Sequence, residues 1–495
     1  MEEKHIETPV IKKTSIDRVR QESLLEMNIP PPQNILFFQQ AYIEKIRQFI
    51  SSIEFEPNET PQQRVEKIDA MKKIEFPTKS FIFSQGFDVL ENLIIILLKS
   101  TRAQDNDISF QSMQYLEILF PKFPTIFFRT ILPHFNSIFI DFIRVSHHAV
   151  LENESLKLIG TISRICLNNA QYIYETFFPY AFKSLKNDVK SINRFYSQYC
   201  DYSFFAVRSF TMYLSGNQGP PLGPEIVKEL LITVAKFIRT AVIPQHEQNE
   251  QYIVPELPDA LYIFVDIVHT NRPGVLNIVK ETQIFTFIAW FLNRSDINLL
   301  RAAILLITYS FDNGTRFVDE LSIDYSFENF YKFLRHHDVV IRVEAARCMS
   351  SICRNKPSML GIFDMDEVED VLTGSLFGPN PSFVQIQQFL HLLRNIIDCY
   401  PSGKMYHFDV SKFVEYGIDL MQKENDELTD CMLHSLIKMF IHLSGLQQLE
   451  FFIPQFMASD GLEVISSLFD SDIEEIRNLS HELFDLVSEV VNGPE

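Results

Sequence analysis

Glycine is scarce in this chain, with 15 among 495 residues. The tight turns and phosphate-cradling loops of mixed α/β enzymes depend on residues without a Cβ, so the shortage argues for a helical protein. Tryptophan is rarer still: Trp290 stands alone, against 45 phenylalanines of the kind that fill cores. Basic residues are outnumbered, 44 Lys and Arg facing 64 Asp and Glu, for a formal net charge of −20. That balance speaks against nucleic acid as a partner, because such binding needs clustered cations. It suits a basic partner or plain solubility. The six cysteines, Cys166, Cys200, Cys348, Cys353, Cys399 and Cys431, contain no C-x-x-C pair and have no histidine at finger spacing. They are expected as buried thiols in a reducing compartment, not as metal ligands. Long apolar runs are missing too. The longest aliphatic stretch, LIIILL at residues 93–98, is far too short to span a bilayer, and the opening MEEKHIETPV lacks the apolar segment of a signal peptide. No membrane association is expected.

Catalytic motifs are equally absent. HEQNE at His246 and HELFD at His481 lack the second histidine of H-E-x-x-H, and SGK at Ser402 lacks the glycines of a phosphate loop. No G-x-S-x-G and no kinase signature occurs. The pairs His147-His148 and His336-His337 fall in turns leading into helices, where solvated loop histidines are expected. The chain is therefore expected to be no enzyme and to carry no cofactor and no metal.

What is present is a repeat. Hydrophobic residues make up 46 % of the chain, so a packed structure is expected, yet 495 residues are too many for one compact core. In FLRHHDVVIRVEAARCMSSICRN (333–355), Asp338 can accept from the first free backbone N–H groups of a helix, and Ile341, Ala345, Met349 and Ile352 recur at helical spacing. LNRSDINLLRAAILLITYSFDN from Leu292 repeats this with Asp296 as cap. LFDSDIEEIRNLSHELFDLVSEV from Leu468 repeats it with Asp472 and Glu475 as a capping box. Weaker copies start at Leu376, with Asn380 in the cap place, and at Leu420, with Glu424 there. The leading leucines 292, 334, 376, 420 and 468 recur every 42 to 48 residues. That is the period of armadillo and HEAT repeats, and the short apolar stretches between the long helices suit the three-helix armadillo unit. A unit of this kind cannot bury its apolar stripe alone. Stacked units share one continuous core and present a long surface instead of a pocket, which points to binding rather than catalysis.

Earlier copies continue the series. DISFQSMQYLEIL (107–119) and HHAVLENESLKLIGTISRICLNN (147–169) read as third helices. SFFAVRSFTMYLSGNQGPPLGPEIVKELLITVAKFI (203–238) reads as a helix, a Pro/Gly-rich turn and a second helix. In this order, spacing and proline-rich turn the chain resembles importin α, the armadillo adaptor of nuclear import. The resemblance implies an all-α, right-handed armadillo-repeat superhelix of about ten units over residues 35–495, preceded by a flexible N-terminal arm at 1–34. It implies a protein of cytoplasm and nucleus that takes protein cargo in its concave groove. In the arm, Lys12, Lys13, Arg18 and Arg20 correspond in type to a segment that binds importin β, although the family's dense basic clusters are largely missing. From Glu450 onward the chain has 11 acids against one base, Arg477, and the resemblance places an export-receptor contact at this acidic end.

The groove departs from the family. Importin α holds lysines with a ladder of tryptophans and asparagines on its third helices. The paired positions here are Gln114 and Ile118, Lys157 and Thr161, Val207 and Thr211, Tyr262 and Asp266, Leu305 and Tyr309, Arg347 and Ser351, and Phe389 and Leu393. Trp290 falls in a second helix and joins no ladder. Tyr262 with Asp266 is the one pair suited to a lysine, ring against stem and carboxylate near the ammonium, while Lys157 and Arg347 would oppose a basic ligand. Tyr262, Asp266, Tyr309, Arg347 and Ser351 are the candidate groove residues. The function expected is an importin-α-like adaptor with an altered cargo groove. The alternative is an armadillo scaffold with no transport role.

Overall fold

In a computed structural model the described residues are 44, 47, 60–72, 87–100, 105–122, 149–165, 170–191, 201–215, 222–248, 254–313, 330–358, 365–376, 381–399, 408–423 and 425–492, and none of them forms a strand. The N-terminal arm with Lys12, Lys13, Arg18 and Arg20, the histidines 147 and 148, and the Pro/Gly turn at 216–221 lie outside them. The chain divides into two compact units, Met1–Asn169 and Ala170–Glu495.

The first unit contains α1 (Pro61–Lys72), α2 (Phe87–Ser100), α3 (Asn106–Lys122) and α4 (Ala149–Ile165). Helix α1 opens on a reciprocal capping box: Thr60 N donates to Gln63 Oε1 at 3.0 Å, and Gln63 N donates to Thr60 Oγ1 at 3.4 Å. α3 is capped by Asp105, whose carboxylate accepts from Asp107 N and Ile108 N. Helix α3 packs on α1, α2 and α4. Leu93, Leu97, Leu116, Leu119 and Ile159 make the shared core, all fully buried.

The second unit begins with α5 (Ala170–Ser191), α6 (Asp201–Ser215), α7 (Pro224–Gln248) and α8 (Leu257–His269). It continues with α9 (Val275–Thr282), α10 (Ile288–Leu292), α11 (Ile297–Asn313), α12 (Val339–Asn355), α13 (Met365–Leu376) and α14 (Phe383–Cys399). It closes with α15 (Val410–Met421), α16 (Asp426–Gly445), α17 (Ile453–Ala458), α18 (Gly461–Ser467) and α19 (Glu474–Asn492). Two rows organise these helices. The long third helices α6, α8, α11, α12, α14, α16 and α19 each pack on the next. Behind them α5, α7, α10, α13, α15 and α18 each pack on the third helix that follows. Where all three helices of a unit are described, at 275–313 and 453–492, the order is a short first helix, a second helix and a long third helix. That is the armadillo arrangement expected from the period. Trp290 sits buried in α10, a second helix, as read from the sequence.

The caps explain the repeat spacing. Asp296 accepts from Leu299 N at 2.7 Å, and Asp338 from Val340 N and Ile341 N at 2.8 and 3.2 Å. Both are caps where the sequence placed them. The weaker copies are displaced. The cap of α14 is Ser382 rather than Asn380, and that of α16 is Asn425 rather than Glu424. α19 starts at Glu474, so Asp472 stands one residue too early to cap it. In its place the Arg477 guanidinium donates to Ser471 O, as Arg342 does to His336 O at 2.7 Å ahead of α12. Counting from leucines carried a fixed offset of four residues, whereas the turns differ in length and the capping side chain moves with them.

Burial drives the stacking. Phe204, Phe237, Phe264, Phe291, Leu306, Ile341, Met349, Leu393 and Leu436 are all essentially solvent-free. Each such side chain contributes roughly 1.5–3 kcal/mol on burial. Cys348, Cys353 and Cys431 are buried free thiols within this core, and Cys399 is half-buried. Among the described residues no single helix is long and apolar enough to cross a membrane.

Candidate functional site: the third-helix face

Each third helix turns its apolar stripe inward and leaves one row of polar side chains along the opposite edge. Because the helices stack one repeat apart, a residue on this row meets a partner about 40 to 55 positions away. Along the second unit, Arg208 of α6 forms an ion pair with Asp259 of α8, and Thr211 donates to Asp266 Oδ2 at 2.7 Å. Arg301 of α11 pairs with Glu344 of α12 at 2.9 Å. Asp312 accepts from Ser351 and pairs with Arg354 at 3.3 Å. Arg342 donates to Gln385 Oε1 at 3.2 Å, and Lys438 pairs with Asp398 at 2.6 Å. In the first unit the same device joins Lys157 of α4 to Glu117 of α3 at 2.6 Å.

The candidate groove residues all lie on this face, and the chain itself engages them. The Arg208 guanidinium lies 3.8 Å from the centroid of the Tyr262 ring. Tyr309 stacks on His269 at 4.1 Å and has Arg347 5.2 Å above its ring. These are the contacts a ligand lysine would make, supplied instead by arginines of the protein. Tyr262 is 7 % exposed, and burial raises its phenol pKa above the usual value, as it does for Tyr309. Asp266 is buried against Thr211, and Ser351 is spent on Asp312. Asparagines close to the ladder positions are spent in the same way: Asn313 donates to Val268 O and Asn395 to Ser350 Oγ. The His269 imidazole is exposed on one side and stacked on Tyr309 on the other, and it is held below its ordinary value first by this partial desolvation and then by the Arg347 charge. It is therefore neutral near pH 7. Phe389 and Leu393 are fully buried and belong to the core rather than the face.

The structure thus brings Tyr262, Asp266, Tyr309, Arg347 and Ser351 into one row along the third helices, with Tyr262, Asp266 and Ser351 buried in it, and adds Arg208, Arg301, Asp312, Glu344 and Arg354, which the sequence reading passed over. A signal for them exists. Opposite charges one repeat apart on aligned third helices, such as Arg301 and Glu344, mark neighbours across the stack.

No protein-family model matches this sequence, and no curated protein matches it either. Among solved structures, an engineered protein superimposes on 90 % of this chain and 98 % of its own, with a TM-score of 0.61 at 12 % identity. A designed armadillo repeat protein in complex with the peptide (KR)4 covers 51 % of this chain and 99 % of its own, with 11 % identity and a TM-score of 0.39. Computationally designed armadillo repeat proteins for modular peptide recognition cover 51 % and 99 %, with 12 % identity and a TM-score of 0.40. At 12 % identity the likeness to the engineered protein is one of fold. With the three-helix units and the two helix rows, the protein is an all-helical, armadillo-type repeat protein.

Proposed function

We propose that this chain is a protein-binding scaffold whose third-helix face takes an extended protein segment, and that it works as an importin-α-like adaptor with an altered cargo groove. The observation that carries the scaffold reading is the continuity of that face. Seven third helices in series present polar side chains at one-repeat intervals, and a backbone laid across them would meet an arginine, tyrosine or acid at each step. The adaptor reading rests on repeat order, on the Pro/Gly-rich sequence before α7, and on the basic residues of the arm, which would meet importin β. An export receptor at the acidic end and shuttling between cytoplasm and nucleus belong to the same reading, as does the lack of an enzymatic role. The occupied faces of Tyr262 and Tyr309 favour a second reading, a scaffold that carries other ligands and has no part in transport.

A selection of random displayed peptides on the full chain tests the face. Selected peptides should lose binding when Arg301, Arg347 and Arg354 are changed together to Glu, and indifference to that change would place the ligand elsewhere. Binding of purified importin β tests the arm. Reversing the charge of Lys12, Lys13, Arg18 and Arg20 should abolish the complex, and rising salt should weaken it steeply, since exposed ion pairs are screened. Unchanged affinity leaves the scaffold reading alone standing.

A further inference from the structure

At the end of the row, α16 and α19 bring three ligating side chains to one point. Asp430 and His434 stand one turn apart on α16 and so share a face. Glu475 reaches them from the first turn of α19. His434 Nε2 lies 3.9 Å from Asp430 Oδ1 and 3.6 Å from Glu475 Oε1, and one donor atom from each of the three falls within 4.8 Å of the others. The Asp430 side chain is 35 % exposed, but its Oδ1 atom is closed off from solvent and has no hydrogen-bond partner. Elsewhere on the face Asp259, Asp312 and Glu344 are each met by an arginine. Here the described ion pairs of Asp430 and Glu475 are with His434 alone, and the one base of the last repeat, Arg477, is turned to Ser471 O. Two carboxylates therefore converge on one imidazole with no fixed cation between them.

Nitrogen and oxygen donors sit about 2.0–2.2 Å from a tetrahedral zinc ion, which puts them roughly 3.3–3.6 Å from one another. The separations found here need only rotamer adjustments to reach that geometry. One imidazole and two carboxylates form a borderline donor set of the kind zinc accepts with a fourth position open. We propose that Asp430, His434 and Glu475 bind a single divalent transition-metal ion, zinc by its donor set, which ties α19 to α16 and leaves one coordination position for water or a ligand group. The rival arrangement is the same three side chains in contact with one another and no metal.

The test uses the full-length protein freed of metal with a chelator. Titration with Zn2+ followed by calorimetry should show one site per chain that is weakened at least about tenfold in His434→Ala and in Asp430→Asn, the scale on which metal sites respond to loss of a supporting group. Zn2+ should also raise the thermal midpoint of the wild type, since an ion bound only by the folded state stabilises it, and should fail to do so in the variants. Glu475 is 66 % exposed, so Glu475→Gln supplies a variant that leaves packing alone if the others fold poorly. Co2+ in place of Zn2+ should give the visible absorption of a tetrahedral site, lost in the same variants. Zinc binding of equal strength and stoichiometry in wild type and Glu475→Gln, or none in either, overturns the proposal.

Discussion

Two stretches of the third-helix face share one backbone arrangement and differ in chemistry. Between α6 and α12 Asp259, Asp312 and Glu344 are matched by arginines, Asp266 accepts from Thr211, and the tyrosine rings are covered by guanidinium groups. Between α16 and α19 two acids meet a histidine, and from Glu450 onward the chain has 11 acids and one base. The cores of the two stretches are alike: Phe264, Leu306 and Ile341 in one, and Leu436, Ile465 and Leu483 in the other, are all fully buried. Stacking therefore fixes the inward stripe of each helix and leaves its outward row free to vary. The middle stretch has closed that row upon itself, and the end has left it open to a cation.

The largest effect should come from the shared core. Phe264→Ala removes a fully buried ring from α8 and should cost about 3–5 kcal/mol, read by chemical denaturation. Leu483→Ala in α19 should cost about 2–5 kcal/mol but unfold its repeat ahead of the rest, because among the described residues α19 packs on a third helix on one side only. One common transition in both variants would break the comparison at its base.

Next comes a close approach confined to the end. A Cβ on Gly461 would lie 2.7 Å from Phe456 O and from its ring, and a backbone carbonyl cannot step aside. Gly461→Ala should cost about 1–3 kcal/mol. A Cβ on Gly417 would meet only the Met432 thioether at 2.9 Å, the flexible end of a side chain, so Gly417→Ala should cost clearly less. Thermal melting of the pair orders them, and the reverse order would show that α18 yields where α15 does not.

The fold was legible because periodicity reports burial. Asp296 and Asp338 with the stripes behind them gave two third helices outright, and Trp290 fell in the second helix where the repeat count put it. Caps at Ser382 and Asn425 were missed because turns of unequal length shift the cap without shifting the apolar stripe. The face was legible only as positions. Tyr262 and Asp266 read as a lysine clamp because sequence shows a ring and a carboxylate one turn apart. It does not show Arg208 and Thr211, some 50 residues earlier, lying against them. Asp430 and His434 were visible as an i, i+4 pair, but the sequence assigned Glu475 to a capping box, and only the stacking of α19 on α16 brings it to them.

The closed state of the middle stretch can be opened. Arg208→Ala with Arg347→Ala would bare Tyr262 and Tyr309 and remove two repelling charges. Each ring freed for a lysine is worth about 0.5–2 kcal/mol, so with two rings affinity for a short lysine-rich peptide should rise by roughly fivefold or more. Fluorescence anisotropy measures it. A peptide that binds the wild type tightly, or that gains nothing in the double variant, would show that the arginines do not guard this face.

The smallest effect concerns His269, packed in the middle stretch against Tyr309. Burial lowers its pKa, Arg347 lowers it further, and Asp312 opposes both. In the unfolded chain the imidazole titrates near its ordinary value of about 6.5. As the pH falls through that value the unfolded state takes up a proton that the folded state refuses, so folding stability drops, and the loss is complete once the pH lies below the folded value. Above about pH 7.5 the residue is neutral in both states and contributes no slope. His269→Gln keeps a planar polar group and removes the titration. The thermal midpoint of the wild type should therefore decline more steeply than that of the variant between about pH 7 and pH 5, with a chelator present so that His434 binds no metal. The two curves should converge in shape above that range. Parallel curves throughout would mean that neither the stacking on Tyr309 nor the Arg347 charge shifts this exposed imidazole in the folded state.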